Sequence, residues 1–587
     1  MSLQTFFDNF ALLADAPNGV QKLRELILQL AVEGKLVSQN PNDETASALL
    51  ERIRKEKDEL VRQGKIKLTQ VSLIEESEAP YGVPHSWAWT SLESVGLINP
   101  RNEFEDGAPA SFVPMNLVPQ NYGERVKTET RLWKEIKKGF THFAEGDVVL
   151  AKITPCFQNG KAAVMRGLKN NIGAGTTELH VFRPIVQTIY PDYVLVYLKS
   201  PNFILEGIPR MTGSAGQKRV PNDYFARNPF PLPPLEEQKR IVAKVDELMR
   251  LCDELEAQQQ ARRESRVRLN NATLAPLKNA ASLAPEELEQ ASARLADNFD
   301  ALYNSAETVS RLRSTILQLA VQGKLVPQDP HDEPASALLK KVKLEKEQLL
   351  RNKNIKKADD LPSIERDEME YQIPKTWHWA RLADLCEFIT DGTHQTPKYT
   401  ESGRIFLSAQ NVKPFMFKPY IYRHVSEEDY QGYIKSRKPE FEDILLTRVG
   451  AGIGEAAVIN IDIEFAFYVS IALIRPLKKY INPHYLTVWL NSPSGTQKSI
   501  SNTYGKGMSQ GNLNLGLIRK FVVSIPPLEE QKRIVAKVNQ LMALCDELET
   551  KLRQAEEDSV RLMKAALQHV LASINQASQE ESLSVLA

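Results

Sequence analysis

The sequence contains one glycine-rich turn that could hold a cofactor, VGAGIG at residues 449–454. After a predicted strand, it resembles the glycine turn of a dinucleotide or S-adenosylmethionine site. However, the residues after Gly454 predict another strand, where such a site requires a helix. The corresponding stretch in the first half of the chain, ITPCFQNG at 153–160, keeps only the last of these glycines. The pattern therefore argues against a cofactor site here.

The other groups that could do chemistry do not complete a catalytic site. Asp192 and Lys199 lack the further acid that a metal-dependent nuclease needs. The run Asn228-Pro229-Phe230 is only a superficial match to the Asp/Asn-Pro-Pro-Tyr/Phe signature of amino-methyltransferases, and the chain has no GxxxxGK[ST] motif. The nine histidines form no cluster. Since no CxxC or Cys/His ligand spacing occurs, we expect buried thiols and no metal at Cys156, Cys252, Cys386 and Cys545.

Two matching groups of polar residues could instead contact DNA. Lys152 and Arg448 lie at the ends of corresponding predicted strands, and each half of the chain then reaches a small polar loop, TGSAGQKRV from Thr212 and GKGMSQGNL from Gly505. Side chains of these types bind phosphates and base edges. The alternative is that they are solvated loop positions. The predicted DNA-binding residues are Lys152, Gln217, Lys218, Arg219, Arg448, Gln510 and Asn512.

Charge supports DNA binding only when the chain is divided. Over the 587 residues the formal net charge is zero, which by itself argues against a nucleic-acid partner. Two intervals, Tyr81–Leu232 (module 1) and Tyr371–Ile525 (module 2), hold 17 basic against 13 acidic residues and 18 against 13. All six tryptophans and 16 of the 17 tyrosines also lie there. Phosphate neutralisation depends on local charge, so DNA binding would be confined to the modules.

The helical segments outside the modules occur twice in the sequence. Residues 233–256, PPLEEQKRIVAKVDELMRLCDELE, return at 526–549 with 21 of 24 identical, and 23–50 return at 312–339 with 21 of 28 identical. Two prolines followed by two glutamates predict a helix start. Apolar residues then recur with a mean period of 3.5, which predicts a coiled-coil seam. The alternative is that each stripe packs on its own domain. The seam positions are Ile241, Val245, Leu248, Cys252 and Leu255 in the first copy and Ile534, Val538, Leu541, Cys545 and Leu548 in the second.

The second repeated pair predicts a helical hairpin. Leu23, Leu26, Ile27 and Leu30 form one helix face, Gly34 is a plausible stop, and another helix is predicted near 46–60. The connection is longer than that of a DNA-binding helix-turn-helix motif, which favours a docking surface. Because it occurs twice, the chain would present one surface to two copies of a partner.

These patterns divide the chain into five segments. We predict an amino-terminal hairpin at 1–80, module 1 at 81–232, a central helical region at 233–370, module 2 at 371–525 and a carboxy-terminal helix at 526–587. Within the modules, strands are predicted in GDVVLAKI, KAAVM, EDILLTRV and EAAVI. The paired tryptophans at 87/89 and 377/379 are expected in the core. Without an apolar run of about 18 residues or a signal-peptide layout, we expect a cytoplasmic protein.

The two PPLEEQKRIVAKV helix starts beside the two ILQLAV(E/Q)GKLV segments resemble the specificity subunits of type I restriction-modification systems. The resemblance covers essentially the whole chain, and its length is similar to the branch with an extended amino terminus. It implies an α+β fold in which two mixed α/β target recognition domains are joined by long antiparallel coiled-coil helices in a pseudo-two-fold repeat. It also implies that each module reads half of an asymmetric DNA site. The helices would bind two adenine methyltransferase subunits, and two restriction/translocase subunits would join them.

The resemblance further implies that this chain has no cofactor of its own, and that S-adenosylmethionine, ATP and Mg belong to partner subunits. On this reading the paired helices act as a ruler between half-sites. Close pairing should end beyond Leu255, where Gln259, Arg262 and Arg266 occupy the seam positions. The alternatives are a degenerate S-adenosylmethionine-dependent methyltransferase, a coiled-coil scaffold without DNA binding, and service in a fused restriction-methylation enzyme of another type.

Overall fold

The computed structural model describes residues 14–66, 74, 79–185, 187–214, 216–278, 290, 293–294, 297–352, 361–435, 437–504 and 511–585. The chain divides into two compact units. Unit 1 comprises Met1–Arg262 with Glu556–Ala587, and unit 2 comprises Arg263–Ala555. Each unit therefore contains one hairpin, one module and parts of both long helices. The five-segment division stays a prediction.

The helices of unit 1 begin with the hairpin and end with the first long helix. They are α1 (Gly19–Val32), α2 (Ala46–Arg62), α3 (Leu92–Val95), α4 (Trp133–Ile136), α5 (Pro191–Lys199), α6 (Pro201–Arg210), α7 (Asn222–Arg227) and α8 (Leu235–Lys278), of which the part up to Arg262 belongs to this unit. Thr45 caps α2, since its side chain accepts a hydrogen bond from the amide of Ala48 at 3.3 Å. The two helices predicted from the apolar spacing are present at these positions.

Module 1 contains ten short strands, which are β1 (Ala88–Thr90), β2 (Gly96–Ile98), β3 (Pro109–Val113), β4 (Glu129–Leu132), β5 (Thr141–Ala144), β6 (Val148–Ala151), β7 (Ala162–Val164), β8 (Ile172–Gly175), β9 (Leu179–Pro184) and β10 (Phe230–Leu232). Two four-stranded sheets have the orders β2-β9-β6-β7 and β4-β3-β8-β5, in which only β3 and β8 pair in parallel. Apolar side chains of both sheets, including Val113, Phe143 and Val149, share one buried cluster. Antiparallel pairing of β1 with β10 brings the ends of the module together.

Unit 2 repeats this arrangement. Its helices are α9 (Phe299–Leu302), α10 (Ala306–Val321), α11 (Ala335–Arg351), α12 (Glu427–Ile434), α13 (Pro483–Asn491), α14 (Pro493–Ser501), α15 (Leu515–Arg519) and α16 (Leu528–Val585), of which the part up to Ala555 belongs to this unit. Helices α10 and α11 are the second copy of the hairpin. Helix α16 is the second copy of the long helix.

Module 2 has strands β11 (His378–Arg381), β12 (Cys386–Asp391), β13 (Tyr399–Thr400), β14 (Arg404–Leu407), β15 (Val412–Lys413), β16 (Met416–Phe417), β17 (Arg423–Val425), β18 (Ile444–Thr447), β19 (Ala456–Val458), β20 (Phe465–Phe467), β21 (Ile471–Pro476), β22 (Thr503–Tyr504), β23 (Asn512–Leu513) and β24 (Val522–Ile525). The sheet β12-β21-β18-β19 corresponds strand for strand to β2-β9-β6-β7. The other sheet, β13-β17-β14-β20, keeps the single parallel pair, between β14 and β20. The four strands predicted from sequence correspond to β6, β7, β18 and β19.

A glycine ends the first helix of each hairpin for a steric reason. Gly34 and Gly323 have φ values of 69° and 70°, a conformation that side chains disfavour. A Cβ atom on Gly34 would also lie 2.5 Å from Pro84 Cδ, and one on Gly323 would lie 2.5 Å from Pro374 Cγ. Since these prolines open the two modules, the glycines let each hairpin pack closely on its module.

The apolar stripe of each long helix is buried within its own unit. Ile241, Val245, Leu248 and Cys252 lie in the same buried cluster as Leu23 of α1, with Leu255 partly buried beside them. In the second copy, the buried stripe residues Ile534, Val538 and Cys545 and the partly buried Leu541 and Leu548 pack in the cluster that includes Ile316 of α10. The described stripe residues therefore pack on their own domain, which is the alternative to a coiled-coil seam. Pairing of the two long helices stays a prediction.

Both long helices extend well beyond their stripes. Helix α8 has 44 residues and α16 has 58, so the helical segment is not limited to the stripe that suggested a ruler. Beyond residue 262, α8 belongs to unit 2, where Asn270 and Leu274 are fully buried. Beyond residue 555, α16 belongs to unit 1, where Met563 and Ala566 join the core.

The protein has an α+β fold built from two repeats. Three of the cysteines, Cys252, Cys386 and Cys545, are buried as expected, whereas Cys156 is only half-buried, which corrects the expectation for that residue. Burial raises the pKa of Cys252 to about 11. The tryptophans at 87, 89 and 377 are at most 6% exposed and belong to the core, as predicted, while Trp379 is half-buried.

Candidate nucleic-acid interface

The predicted DNA-binding residues that the structure describes lie at the same place in each module, the end of the third strand of the first sheet. In module 1 the amide of Lys152 donates to the carbonyl of Glu178 at 2.9 Å, and the Lys152 carbonyl accepts from Val220 at 2.8 Å. In module 2 the amide of Arg448 donates to Ser470 at 2.9 Å, and its carbonyl accepts from Leu513 at 2.8 Å. The backbone pattern is duplicated. Lys152 and Arg448 therefore occupy equivalent positions, Lys152 beside its polar loop and Arg448 beside Asn512 and Leu513.

The loop of module 1 is pinned to the strand end and remains open to solvent. Thr154 donates to the carbonyl of Lys218 at 2.9 Å, and residues 153 and 219 form an antiparallel bridge. Arg219 donates to both carboxylate oxygens of Glu178, at 2.8 to 3.1 Å, and to the Gln217 carbonyl at 3.0 Å. This hydrogen bonding lowers the pKa of Glu178. The side chains of Gln217 and Lys218 are exposed.

Lys152 lies near the Glu178 carboxylate, which is already bonded to Arg219. Within the described ranges, the Lys152 side chain makes no hydrogen bond or ion pair. It lines a cleft of about 380 Å³ whose polar wall also includes Arg101, Thr141, His142, His180 and Asn222. An ammonium group that makes no direct ion pair beside an open polar cleft can bind a phosphate or a base acceptor.

The equivalent place in module 2 is closed by an internal ion pair. Arg448 is 5% exposed, and its guanidinium is paired with Asp391 of β12, which is 7% exposed. It also donates to the Leu513 carbonyl at 3.0 Å and to Asn512 Oδ1 at 3.3 Å. Arg448 could contact DNA only if this pair opened, because its donors are used inside the protein, so that contact stays a prediction. Asn512 itself is exposed, and Gln510 lies outside the described residues.

His180 is a lining residue that the sequence patterns did not single out. Its Nε2 lies 3.1 Å from the Val220 carbonyl, and its ring stacks on Phe225 with centroids 4.9 Å apart. Burial lowers the pKa of His180 to about 4, so the ring is neutral near pH 7. The repeat could have identified His180. When β9 is aligned with β21, His180 occupies the position that Ala472 has in module 2.

The residues considered for catalysis have structural partners. The glycine turn at 450–454 connects the antiparallel strands β18 and β19, so it lacks the following helix of a cofactor site. Asp192 pairs with Arg166 at 2.5 Å. Buried Lys199 donates to the carbonyls of Gln120 and Gly160, at 2.8 and 2.7 Å. In the part of the chain that the structure describes, no group of three or more His, Cys, Asp or Glu residues could hold a metal ion.

Comparison with known proteins defines the class of these modules. The family model "Type I restriction modification DNA specificity domain" matches twice, at residues 100–263 and 374–557. The specificity subunit of the type I restriction enzyme EcoAI from Escherichia coli is 39% identical over 554 residues, covering 93% of each chain. That of EcoEI, also from Escherichia coli, is 39% identical over 559 residues with the same coverage. The crystal structure of the HsdS subunit from Thermoanaerobacter tengcongensis aligns with 84% of this chain and 98% of its own at 19% identity and a TM-score of 0.42.

The twice-matched domain places the chain among proteins that carry DNA specificity domains. More particularly, it belongs to the family of type I restriction-modification specificity subunits, since full-length relatives at 39% identity bear that name. The family resemblance noted from the repeated helices is thus confirmed, and the chain is a specificity subunit and not an enzyme. Among its described residues, no helix is long and apolar enough to cross a membrane.

Proposed function

We propose that this chain reads a bipartite DNA site, with one half contacted by each module. The observation that carries the proposal is the pair of equivalent strand ends that differ in chemistry. Module 1 presents unpaired Lys152 with exposed Gln217 and Lys218, whereas module 2 presents Asn512 beside a sealed Arg448. Two readers on one backbone plan with different side chains would select different half-sites, which gives an asymmetric recognition sequence.

The duplicated helical frame supports docking of two identical partners. Arg24 bridges α1 to Asp253 of α8 at 2.7 Å, and Arg313 bridges α10 to Asp546 of α16 at 2.6 Å. Such repeated contacts hold the two hairpins against their long helices in the same way. We propose that the surfaces so formed bind two adenine methyltransferase subunits, through which two restriction/translocase subunits are recruited.

Chemistry would then belong to the partners. We propose that S-adenosylmethionine, ATP and Mg bind to the methyltransferase and translocase subunits and that this chain holds none of them. The assembled complex would act in the cytoplasm, where its DNA substrate is.

The test is methylation mapping of the complex. The chain is co-expressed with its adenine methyltransferase partner in a host without other adenine methylation, and methylated adenines are sequenced genome-wide. We expect one split motif of two fixed sequences with an unspecified spacer. An unsplit motif, or methylation without sequence preference, would contradict bipartite reading.

Two controls separate the other function classes. Methyl transfer or S-adenosylmethionine binding by the purified chain alone would indicate a degenerate methyltransferase. A gel shift with a duplex containing the mapped motif tests the scaffold alternative, which requires that the complex bind this duplex no better than a scrambled one.

A further inference from the structure

Module 2 exposes an unusual number of large apolar side chains in one short segment. We call residues 412–425, VKPFMFKPYIYRHV, the aromatic loop. The exposed fractions within it are 40% for Phe415, 49% for Met416, 68% for Tyr420, 59% for Ile421 and 44% for Tyr422. Large apolar side chains exposed together in one short segment are typical of an interaction site on a soluble protein.

Hydrogen bonds from a buried residue hold the aromatic loop in shape, so the exposure of its side chains is not a result of poor packing. Buried Asn411 donates through Nδ2 to the carbonyls of Lys418 and Ile421, at 2.7 and 2.6 Å, and its Oδ1 accepts from Ser408 at 2.9 Å. Val412 and Phe417 anchor the hairpin of β15 and β16 in the core. A rigid backbone therefore displays these side chains at little entropic cost on binding.

The corresponding segment of module 1 has no such display. Residues 114–128, between β3 and β4, contain one large aromatic residue, Tyr122. It is half-buried, and its hydroxyl donates to Asp246 of α8 at 2.9 Å. The repeat thus serves as an internal control, which shows that this fold does not require exposed aromatic residues at this position.

Charge favours DNA over protein as the occupant. The aromatic loop contains no acidic residue, and besides Lys413, which is paired with Glu455 at 2.9 Å, it carries Lys418, Arg423 and His424. Arg423 lies over the ring of Tyr399, 4.4 Å from its centroid, which extends the mixed cationic and aromatic surface to β13. Base stacking on aromatic side chains beside a cationic track is a common mode of nucleic-acid binding, and apolar wedges unstack base steps in duplexes.

We propose that the aromatic loop is a DNA wedge, in which Tyr420 and Ile421 stack against and separate a base step beside the half-site of module 2. Lys418 and Arg423 would bind the flanking phosphates. This inference rests on the proposed DNA recognition and adds to it that the two modules treat the duplex differently, since only module 2 would unstack it.

The experiment uses the complex of the full chain with its methyltransferase partner and duplexes that contain the mapped motif. The fluorescent base 2-aminopurine is placed in turn at each position of both half-sites and their flanks except the two methylated adenines, because a methyltransferase flips its target base out of the stack. We expect an increase in fluorescence, which reports unstacking, at one half-site only. Tyr420→Ala combined with Ile421→Ala should abolish the increase and weaken motif binding roughly 5- to 150-fold, from the usual cost of removing an aromatic stacking partner. Tyr420→Phe should retain both properties.

The matched control is Phe441→Ala, which removes a 52% exposed aromatic side chain from the same module outside the loop and should change neither signal. A wild-type complex that binds and methylates its motif without any 2-aminopurine signal would overturn the wedge and leave the proposed function intact. A complex without motif binding would overturn both. If the double variant no longer copurifies with the methyltransferase, the loop is a protein-docking surface and the inference is wrong.

Discussion

Replacing Arg448 should unfold part of module 2 before it affects base reading. Arg448 and Asp391 are 5% and 7% exposed, so Arg448→Ala leaves a buried carboxylate without its counter-charge. Breaking a buried pair in this way costs about 3–5 kcal/mol. The same substitution at Arg219 breaks a pair whose side chains are 42% and 23% exposed, so solvent screens the pair and the loss of stability should be small.

Urea denaturation of the free chain, followed by hydrogen exchange in peptides from β12 and β21, measures both effects. We expect Arg448→Ala to lose protection in these strands, and Arg219→Ala to resemble the wild type. The double variant Asp391→Ala/Arg448→Ala should be less destabilised than the sum of its single variants, because it leaves neither charge unpaired. Stability of Arg448→Ala equal to that of Arg219→Ala, together with loss of one half-site, would refute the structural role and restore Arg448 as a DNA contact.

Three further predictions concern stability, binding and spacing. Burial lowers the pKa of Lys199 from 10.5 to about 7. Between these pH values the unfolded chain binds more protons than the folded chain, so the free energy of unfolding rises with pH. In Lys199→Met this rise should disappear when denaturation curves at pH 7 and 9.5 are compared. Arg219→Ala should weaken motif binding in gel shifts by about 1–3 kcal/mol and relax one half-site only, while an unaltered motif would exclude a base contact. One heptad inserted after Arg262 and another after Ala555 should lengthen each helix by about 10 Å and the mapped spacer by roughly three base pairs. An unchanged spacer would show that the helices do not set the distance between the half-sites.

The position of these insertions follows from where the stripes are buried. An insertion after Val245 and Val538 keeps the helical face but moves Cys252 and Cys545 away from the hairpins that cover them. Residues 262 and 555 are the last ones that each long helix contributes to the unit in which it begins. A heptad placed there leaves that packing intact, so a change in the spacer can be assigned to helix length.

The sequence predicted the helices well because helix starts, helix ends and apolar spacing depend on residues that are close together in the chain. The start of α8 follows from Pro233 and Pro234, and the end of α1 follows from Gly34, a residue type that adopts the positive φ of a helix end without strain. The covering surface was not predictable in the same way. A stripe such as Ile241 to Cys252 states that one face is buried, and both a second long helix and a hairpin satisfy that requirement.

In the candidate site, too, the sequence predicted where residues lie along the chain but not what covers them. The repeat correctly put Lys152 and Arg448 at equivalent strand ends, since strand periodicity and loop position are readable along the chain. Whether each cation faces solvent depends on a partner distant in sequence. Asp391 reaches Arg448 from β12, whereas Lys152 has no acid at the matching place, where Pro100 stands.

The contrast between frame and modules is itself an argument about function. Contacts of the frame are kept as chemical pairs in both copies: Gln39 with Glu237 at 2.7 Å returns as Gln328 with Glu530 at 2.6 Å. The modules keep backbone hydrogen bonds and change the side chains that those bonds position. A surface that meets one kind of partner twice must be built twice alike. A pair of surfaces that meets two different DNA sequences must share a scaffold and differ at its tips. The described contacts of this chain fit both requirements of the proposed function.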